Sequence, residues 1–306
     1  MKKDIREWSI SFPWGKVAMV SYGNPEKPPI LLLHGYMDSA ATFIALLELL
    51  PDTYYYVGLD LPGHGKSDPY PPGILVSHLC GTEVVRGVVE HMKWNSFACI
   101  SHSRGFFDGT FYNHFYPGKL IKMVHLDPAP TLSTYYYSHF RPLYWYMYFY
   151  DSSYNNYDSW INGTSRELTI DEAINLMVRN RSLTEEQAEV VLSRSLIRIG
   201  DDKFRLSWEP RMKKMPTVPL SEETLYTVIT EHSPPVLIIE ASDNKSDVEA
   251  KKFAEDIIAK CRLMQPNWSS ITVTGGHDVH ITNPELIVPH IVQFLNGSGL
   301  HKRSKL

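Results

Sequence analysis

Ser101-His102-Ser103-Arg104-Gly105 is entered through the apolar run Phe97-Ala98-Cys99-Ile100 and left through Phe106-Phe107. An apolar run of this length, followed by a segment that can wind, reads as a buried strand, a tight turn and a helix. Ser103 would stand at the apex of the turn, with small residues two places before and two places after it. That is the G-x-S-x-G elbow pattern, with Ser101 in the place of the first glycine. The small flanks allow strand and helix backbones to approach closely while the apex residue holds strained dihedrals.

Outward from this turn the same rhythm repeats. Residues 10–21, with Pro13-Trp14-Gly15 inside them, read as an opening hairpin. Ile30-Leu31-Leu32-Leu33 is a fully buried strand that delivers His34-Gly35-Tyr36. Residues 40–50 suit a helix, and Tyr55-Tyr56-Val57-Gly58-Leu59-Asp60 is the next strand. A helix over 82–92 precedes the elbow strand, and one reaching His114 follows it. Ile121-Lys122-Met123-Val124-His125-Leu126-Asp127 is a further strand. Strands and helices alternating at this spacing imply a mostly parallel α/β sheet with helices on both faces. Ligands of such sheets bind at the C-terminal strand edges, where His34, Asp60, Ser103 and Asp127 all fall.

The rhythm breaks after Pro130. Tyr135-Tyr136-Tyr137 and residues 144–150 are strongly aromatic, and helices are expected over 170–180 and 184–196. Thr184 and Gln187 have the spacing of a capping box. The strand pattern resumes at Val236-Leu237-Ile238-Ile239, followed by a helix over 247–260, a strand over 270–273 and a helix over 287–295. The chain therefore divides into a core (1–130), an inserted helical lid (131–232), the second part of the core (233–300) and a tail (301–306).

Composition narrows the possibilities further. At 306 residues and a formal charge of −4, the chain has no basic excess for nucleic acid. No apolar run approaches the ~18 residues of a membrane span, and Met1-Lys2-Lys3-Asp4-Ile5 lacks the apolar core of a secretory signal. Cys80, Cys99 and Cys261 form neither a disulfide framework nor a metal motif. The chain closes on Ser304-Lys305-Leu306, the peroxisomal address, so the expected location is the peroxisome through its import receptor. An inactive signal would leave the protein in the cytoplasm.

A serine hydroxyl attacks only with a base beside it and a group that orients the base. His277, in Thr274-Gly275-Gly276-His277-Asp278-Val279-His280 after the last strand, is the expected base, with His280 its competitor. The orienting acid is Asp127, at the end of the strand after the elbow helix, or Asp243, after the strand over 236–239. The common register after that strand falls on Asn244, which could orient an imidazole without stabilising its charged form.

The sequence is similar to the α/β-hydrolase superfamily, and more closely to the serine hydrolase-like proteins of animals. The likeness lies in Leu33-His34-Gly35-Tyr36-Met37-Asp38, Gly63-His64-Gly65-Lys66-Ser67, Lys93-Trp94-Asn95, Ser182-Leu183-Thr184-Glu185-Glu186 and Gly276-His277-Asp278-Val279-His280. The resemblance implies an α/β-hydrolase fold, a nucleophile at Ser103 and a base at His277. Relatives with their acid after the strand that follows the elbow helix favour Asp127 over Asp243. The sequence departs from the pattern at Ser101 and at Phe106, where the superfamily commonly has glycine.

An oxyanion needs two main-chain donors from rigid turns, expected here from Arg104 and Tyr36. The Arg104 side chain either pairs with Asp108 or holds an anionic part of a substrate. The expected activity is that of a serine esterase on an apolar small molecule, through an acyl-enzyme and without cofactor or metal. The alternatives are a non-catalytic ligand binder of the same fold, and dehalogenase- or luciferase-like chemistry. Dehalogenases use an Asp-Trp pair where this chain has Ser103-Arg104.

Overall fold

The computed structural model describes residues 3–74, 76–140, 154–155, 166–215, 217–218, 220–243 and 247–297. The run over 144–150, Asn244 and the tail 301–306 lie outside the described residues.

An eight-stranded sheet carries the molecule. Its strands are β1 (Ile5–Phe12), β2 (Gly15–Tyr22), β3 (Pro29–Leu33), β4 (Tyr55–Leu59), β5 (Phe97–His102), β6 (Leu120–Leu126), β9 (Val236–Ala241) and β10 (Trp268–Val273). They lie in the order β1-β2-β4-β3-β5-β6-β9-β10. The β1–β2 hairpin and the β2–β4 pair are antiparallel, and every other pairing is parallel. This is the sheet that the strand rhythm implies, and β5, the elbow strand, sits near its centre.

Burial on both faces explains why the central strands are apolar throughout. Successive side chains point to opposite faces of a strand. Leu31 and Leu33 of β3 therefore join one core with Val57, Cys99 and Met123, while Ile30 and Leu32 join the other with Tyr56, Ile100 and Val124. Helices α2 (His78–His91) and α3 (Gly105–Phe115) supply the first core, and α1 (Ile44–Leu49) the second. Helix α2 begins four residues earlier than the apolar spacing suggests, because Ser77 caps it and adds a turn.

Helix α4 (Ala129–Phe140) leaves β6, and α5 (Ile170–Arg181), α6 (Glu185–Leu192), the hairpin β7 (Leu196–Gly200) with β8 (Lys203–Leu206), and α7 (Glu222–Thr230) precede β9. The capping box of Thr184 and Gln187 forms as its spacing predicts. The helix expected to continue to 196 instead ends at Leu192, and the chain turns into β7. The reason is local: Gly200-Asp201-Asp202 makes a tight turn, with Asp202 at φ 50°, and alternating residues on either side pair across it. After β9 come α8 (Val248–Met264), β10, the short α9 (Val279–Thr282) and α10 (Val288–Asn296). No described helix is long and apolar enough to cross a membrane.

Buried charge ties this inserted stretch to the sheet. Asp60, at the end of β4, is fully buried and receives Arg194 at 2.8 Å together with the amides of Ala40 and Lys66. Arg194→Met strands that carboxylate, and removing one partner of a buried pair typically costs about 3–5 kcal/mol. Urea titration of this variant is expected to show a loss of that size; an unchanged midpoint would mean the pair holds nothing together.

Candidate active site

The elbow forms with Ser103 at its apex. Ser103 adopts φ 49°, a left-handed conformation that a non-glycine residue holds only when its surroundings enforce it. Gly105 is required: a Cβ there would collide with the Leu33 carbonyl oxygen on β3. Ser101, in the place of the usual glycine, is fully buried and spends its hydroxyl on His125 Nδ1 at 2.7 Å. Phe106 packs its ring edgewise on the same His125, at 4.6 Å between centroids. Both departures from the elbow pattern are thus absorbed by one histidine on the neighbouring strand.

His277 and Asp127, 150 positions apart, meet at the same sheet edge. His277 Nδ1 lies 2.6 Å from Asp127 Oδ2. The other carboxylate oxygen of Asp127 accepts the Ala241 amide at 3.1 Å, and its own amide donates to Ile239. Asp127 is therefore clamped onto β9 and can turn only one oxygen to the ring. Asp243 makes its bond with the Ser242 hydroxyl, at 2.7 Å, and none with His277. His280, the other histidine considered, is fully buried and bonds Thr42 at 2.7 Å.

With Nδ1 on Asp127, the His277 ring turns Nε2 away from the carboxylate, and the ring and Ser103 line one cavity. The Ser103 hydroxyl rests on Thr131 Oγ1 at 3.2 Å and makes no hydrogen bond to the imidazole. Such bonds commonly tighten only when substrate is bound. Thr131, on the first turn of α4, is a contact that no elbow pattern signals.

The loop after β3 is set by His34. The Leu61 amide donates to His34 Nε2 at 2.9 Å, so the ring's proton sits on Nδ1 and donates to the Gly35 carbonyl at 2.8 Å. A trans peptide that points its carbonyl one way points its next N–H the other way, so the Tyr36 amide faces away from His34. A Cβ on Gly35 would stand 3.2 Å from Ser103 Cβ, which places this peptide against the elbow. The Arg104 amide opens α3 on the other side.

Comparison with known proteins then decides the family. Residues 28–284 match the family model described as the alpha/beta hydrolase fold. The chain belongs to the alpha/beta hydrolase fold family. It is 26% identical to Serine hydrolase-like protein 2 of Homo sapiens over 313 aligned positions, covering 95% of this chain and 94% of that protein. A Serine hydrolase-like protein of Danio rerio is 27% identical, covering 96% and 90% of the two chains. Among solved structures, the Thioesterase Domain From Curacin Biosynthetic Pathway superposes with a TM-score of 0.71 at 17% identity. It covers 94% of this chain and 99% of that domain.

In this alpha/beta hydrolase the cavity measures about 940 Å3. Leu176, Met177, Trp208, Met212 and Met215 give its wall an apolar lining drawn from the inserted stretch. Of the aromatic residues after Pro130, Tyr135 is buried against Phe107 in the core, at 4.8 Å, and the run over 144–150 lies outside the described residues.

Arg181, which the sequence does not single out, bridges two loops of the site. Its guanidinium bonds Asp38 at 2.9 Å, on the loop after β3, and Asp278 at 2.9 Å, beside His277. Burial pushes the Asp278 carboxyl up, but the hydrogen bonds and charge of Arg181 outweigh it and hold the group well below the usual carboxylate range. His102 adds a second tie, its Nε2–H donating to the His277 carbonyl at 3.1 Å. Arg181 is thus a positioning residue, and misplacing reacting groups by about 1 Å can cost about 100-fold. Arg181→Gln is expected to lower kcat 10- to 100-fold with a smaller change in KM, and Arg181→Lys to recover part of it. A rise in KM alone would remove this role.

Proposed function

We propose that the protein is a serine hydrolase that cleaves an ester-type bond of a small, largely apolar molecule through an acyl-enzyme. The reading is carried by the 2.6 Å contact between His277 Nδ1 and Asp127, on a ring that shares its cavity with a serine on an enforced elbow. Ser103 Oγ attacks the acyl carbon, and His277 Nε2 accepts its proton and returns it to the leaving group. Asp127 fixes the tautomer and stabilises the imidazolium. The amides of Arg104 and Tyr36 hold the developing oxyanion. Water, activated by the same imidazole, then releases the acid. The described residues of the segment between β6 and β9 that line the cavity, among them Leu176, Met177, Trp208 and Met212, act as its lid.

The names of the relatives and the thioesterase fold of a structural neighbour agree with acyl transfer. The test is turnover of short-chain p-nitrophenyl esters by the wild type and by Ser103→Ala. A burst followed by steady release is expected, and its complete loss in the variant; equal release by both proteins would reject the reading.

We also propose peroxisomal delivery through Ser304-Lys305-Leu306. Because that address is read only at the extreme C-terminus, one residue added after Leu306 is expected to leave the protein in the cytosol. Unchanged import would reject the assignment.

A further inference from the structure

The side chain of Arg104 is the strongest unspent charge near the nucleophile. It lines the active-site cavity yet is only 5% exposed, and its Nε and Nη1 have no hydrogen-bond partner. Its counter-ion is Asp108, one turn along α3, but the nearest approach, Nη2 to Oδ1, is 3.8 Å. Neither oxygen of Asp108 receives a hydrogen bond, and the carboxylate is wedged so tightly against α2 that no Cβ fits at Gly81. Asp108 therefore balances the charge from a distance and leaves the guanidinium's donors unused. A buried guanidinium without hydrogen bonds is costly, and two carboxylate oxygens match its fork. Beside it the cavity is lined by His78, the first residue of α2, whose Nδ1 is also without a partner.

We propose that the Arg104–His78 end of the cavity is a carboxylate-binding subsite, and that the enzyme acts on esters whose acyl chain bears a free carboxylate a few carbons from the scissile carbonyl. This rests on the serine hydrolase reading, which puts the acyl oxygen on the amide of the same Arg104. The subsite suits one negative charge rather than two, because Asp108 already offsets part of the Arg104 charge. Burial raises the Asp108 carboxyl to about 6, so it can regain its proton when a second anion arrives. The other titratable groups facing the guanidinium are neutral: burial keeps His34, His64 and His78 unprotonated, and keeps the phenols of Tyr36 and Tyr70 protonated.

The experiment compares kcat/KM for monoethyl succinate, glutarate and adipate with that for neutral ethyl esters of equal chain length. The quantity read is the charged-to-neutral ratio within each variant. We expect a ratio above tenfold in the wild type for at least one chain length, a fall of at least tenfold in Arg104→Gln, partial retention in Arg104→Lys, and a rise in Asp108→Asn. A wild-type ratio of one or less, or a ratio that none of the variants moves, overturns the subsite while turnover of neutral esters leaves the hydrolase reading intact. A binding arm is independent of turnover. Millimolar adipate should raise the melting temperature of the wild type and Asp108→Asn but not of Arg104→Gln. Absence of any shift in the wild type, or an equal one with inorganic phosphate, overturns the carboxylate assignment.

Discussion

Asp127→Asn is expected to lower kcat by about three to four orders of magnitude, the size seen when the acid of a serine–histidine–aspartate site becomes an amide. The cause lies in the clamp on Asp127. One carboxylate oxygen is committed to the Ala241 amide, so the other must accept the His277 Nδ1 proton. An asparagine that kept the Ala241 bond would turn its NH2 toward the ring, forcing the tautomer with its proton on Nε2. That nitrogen could then no longer take the proton of Ser103. The loss should fall on kcat and grow less severe at high pH, where the attacking hydroxyl needs less help. Asp243→Asn, at a carboxylate bonded only to Ser242, should change kcat less than twofold. Steady-state kinetics of the two variants decides the matter, and equal rates in both would remove Asp127 from the mechanism.

Acid should unfold the protein well above the pH at which carboxylates titrate. Six histidines, His34, His64, His78, His102, His125 and His280, are buried in the core or beneath the active site. Burial lowers the pKa of each, to about 3 for His78, His125 and His280. The sign follows from linkage. The unfolded chain takes up these protons first, near pH 6.5, so the stabilisation is complete above that value and is lost as pH falls below it. Three such groups together tilt the balance by on the order of 4 kcal/mol per pH unit. Against a total stability of about 5–15 kcal/mol, circular dichroism should record cooperative unfolding near pH 5. Calorimetry at pH 5.5 should find uptake of about five protons on unfolding, close to one for each of the six histidines. A melting temperature that stays level between pH 7 and pH 4.5 would contradict the buried, neutral histidines.

The core of the fold is readable because its signals are local. Apolar runs such as those in β3 and β5 need only a handful of residues to declare a strand buried on both faces. The elbow declares itself by small residues at fixed spacing, and the collision at Gly105 shows why one of them cannot vary. Asp127 and His277 are legible as residues that follow strands at one sheet edge, although sequence alone leaves Asp243 in contention, because two neighbouring strands, β6 and β9, each deliver a carboxylate there. What escapes reading is set by contacts between distant segments. Arg181 meets Asp38 across 143 positions and Asp278 across 97, and nothing in its helix distinguishes it from Arg179. The β7–β8 hairpin is hidden for another reason: Val190-Val191-Leu192 and Leu196-Ile197 continue a helical spacing until the Gly200-Asp201-Asp202 turn breaks it.

The most direct trial of a serine primed by a distant histidine is chemical. A fluorophosphonate probe should form one adduct, mapped by mass spectrometry to the peptide carrying Ser103, with its rate at least 100-fold slower in His277→Ala. A probe that leaves Ser103 unmodified in the folded wild type, or labels it equally fast without His277, would contradict the account.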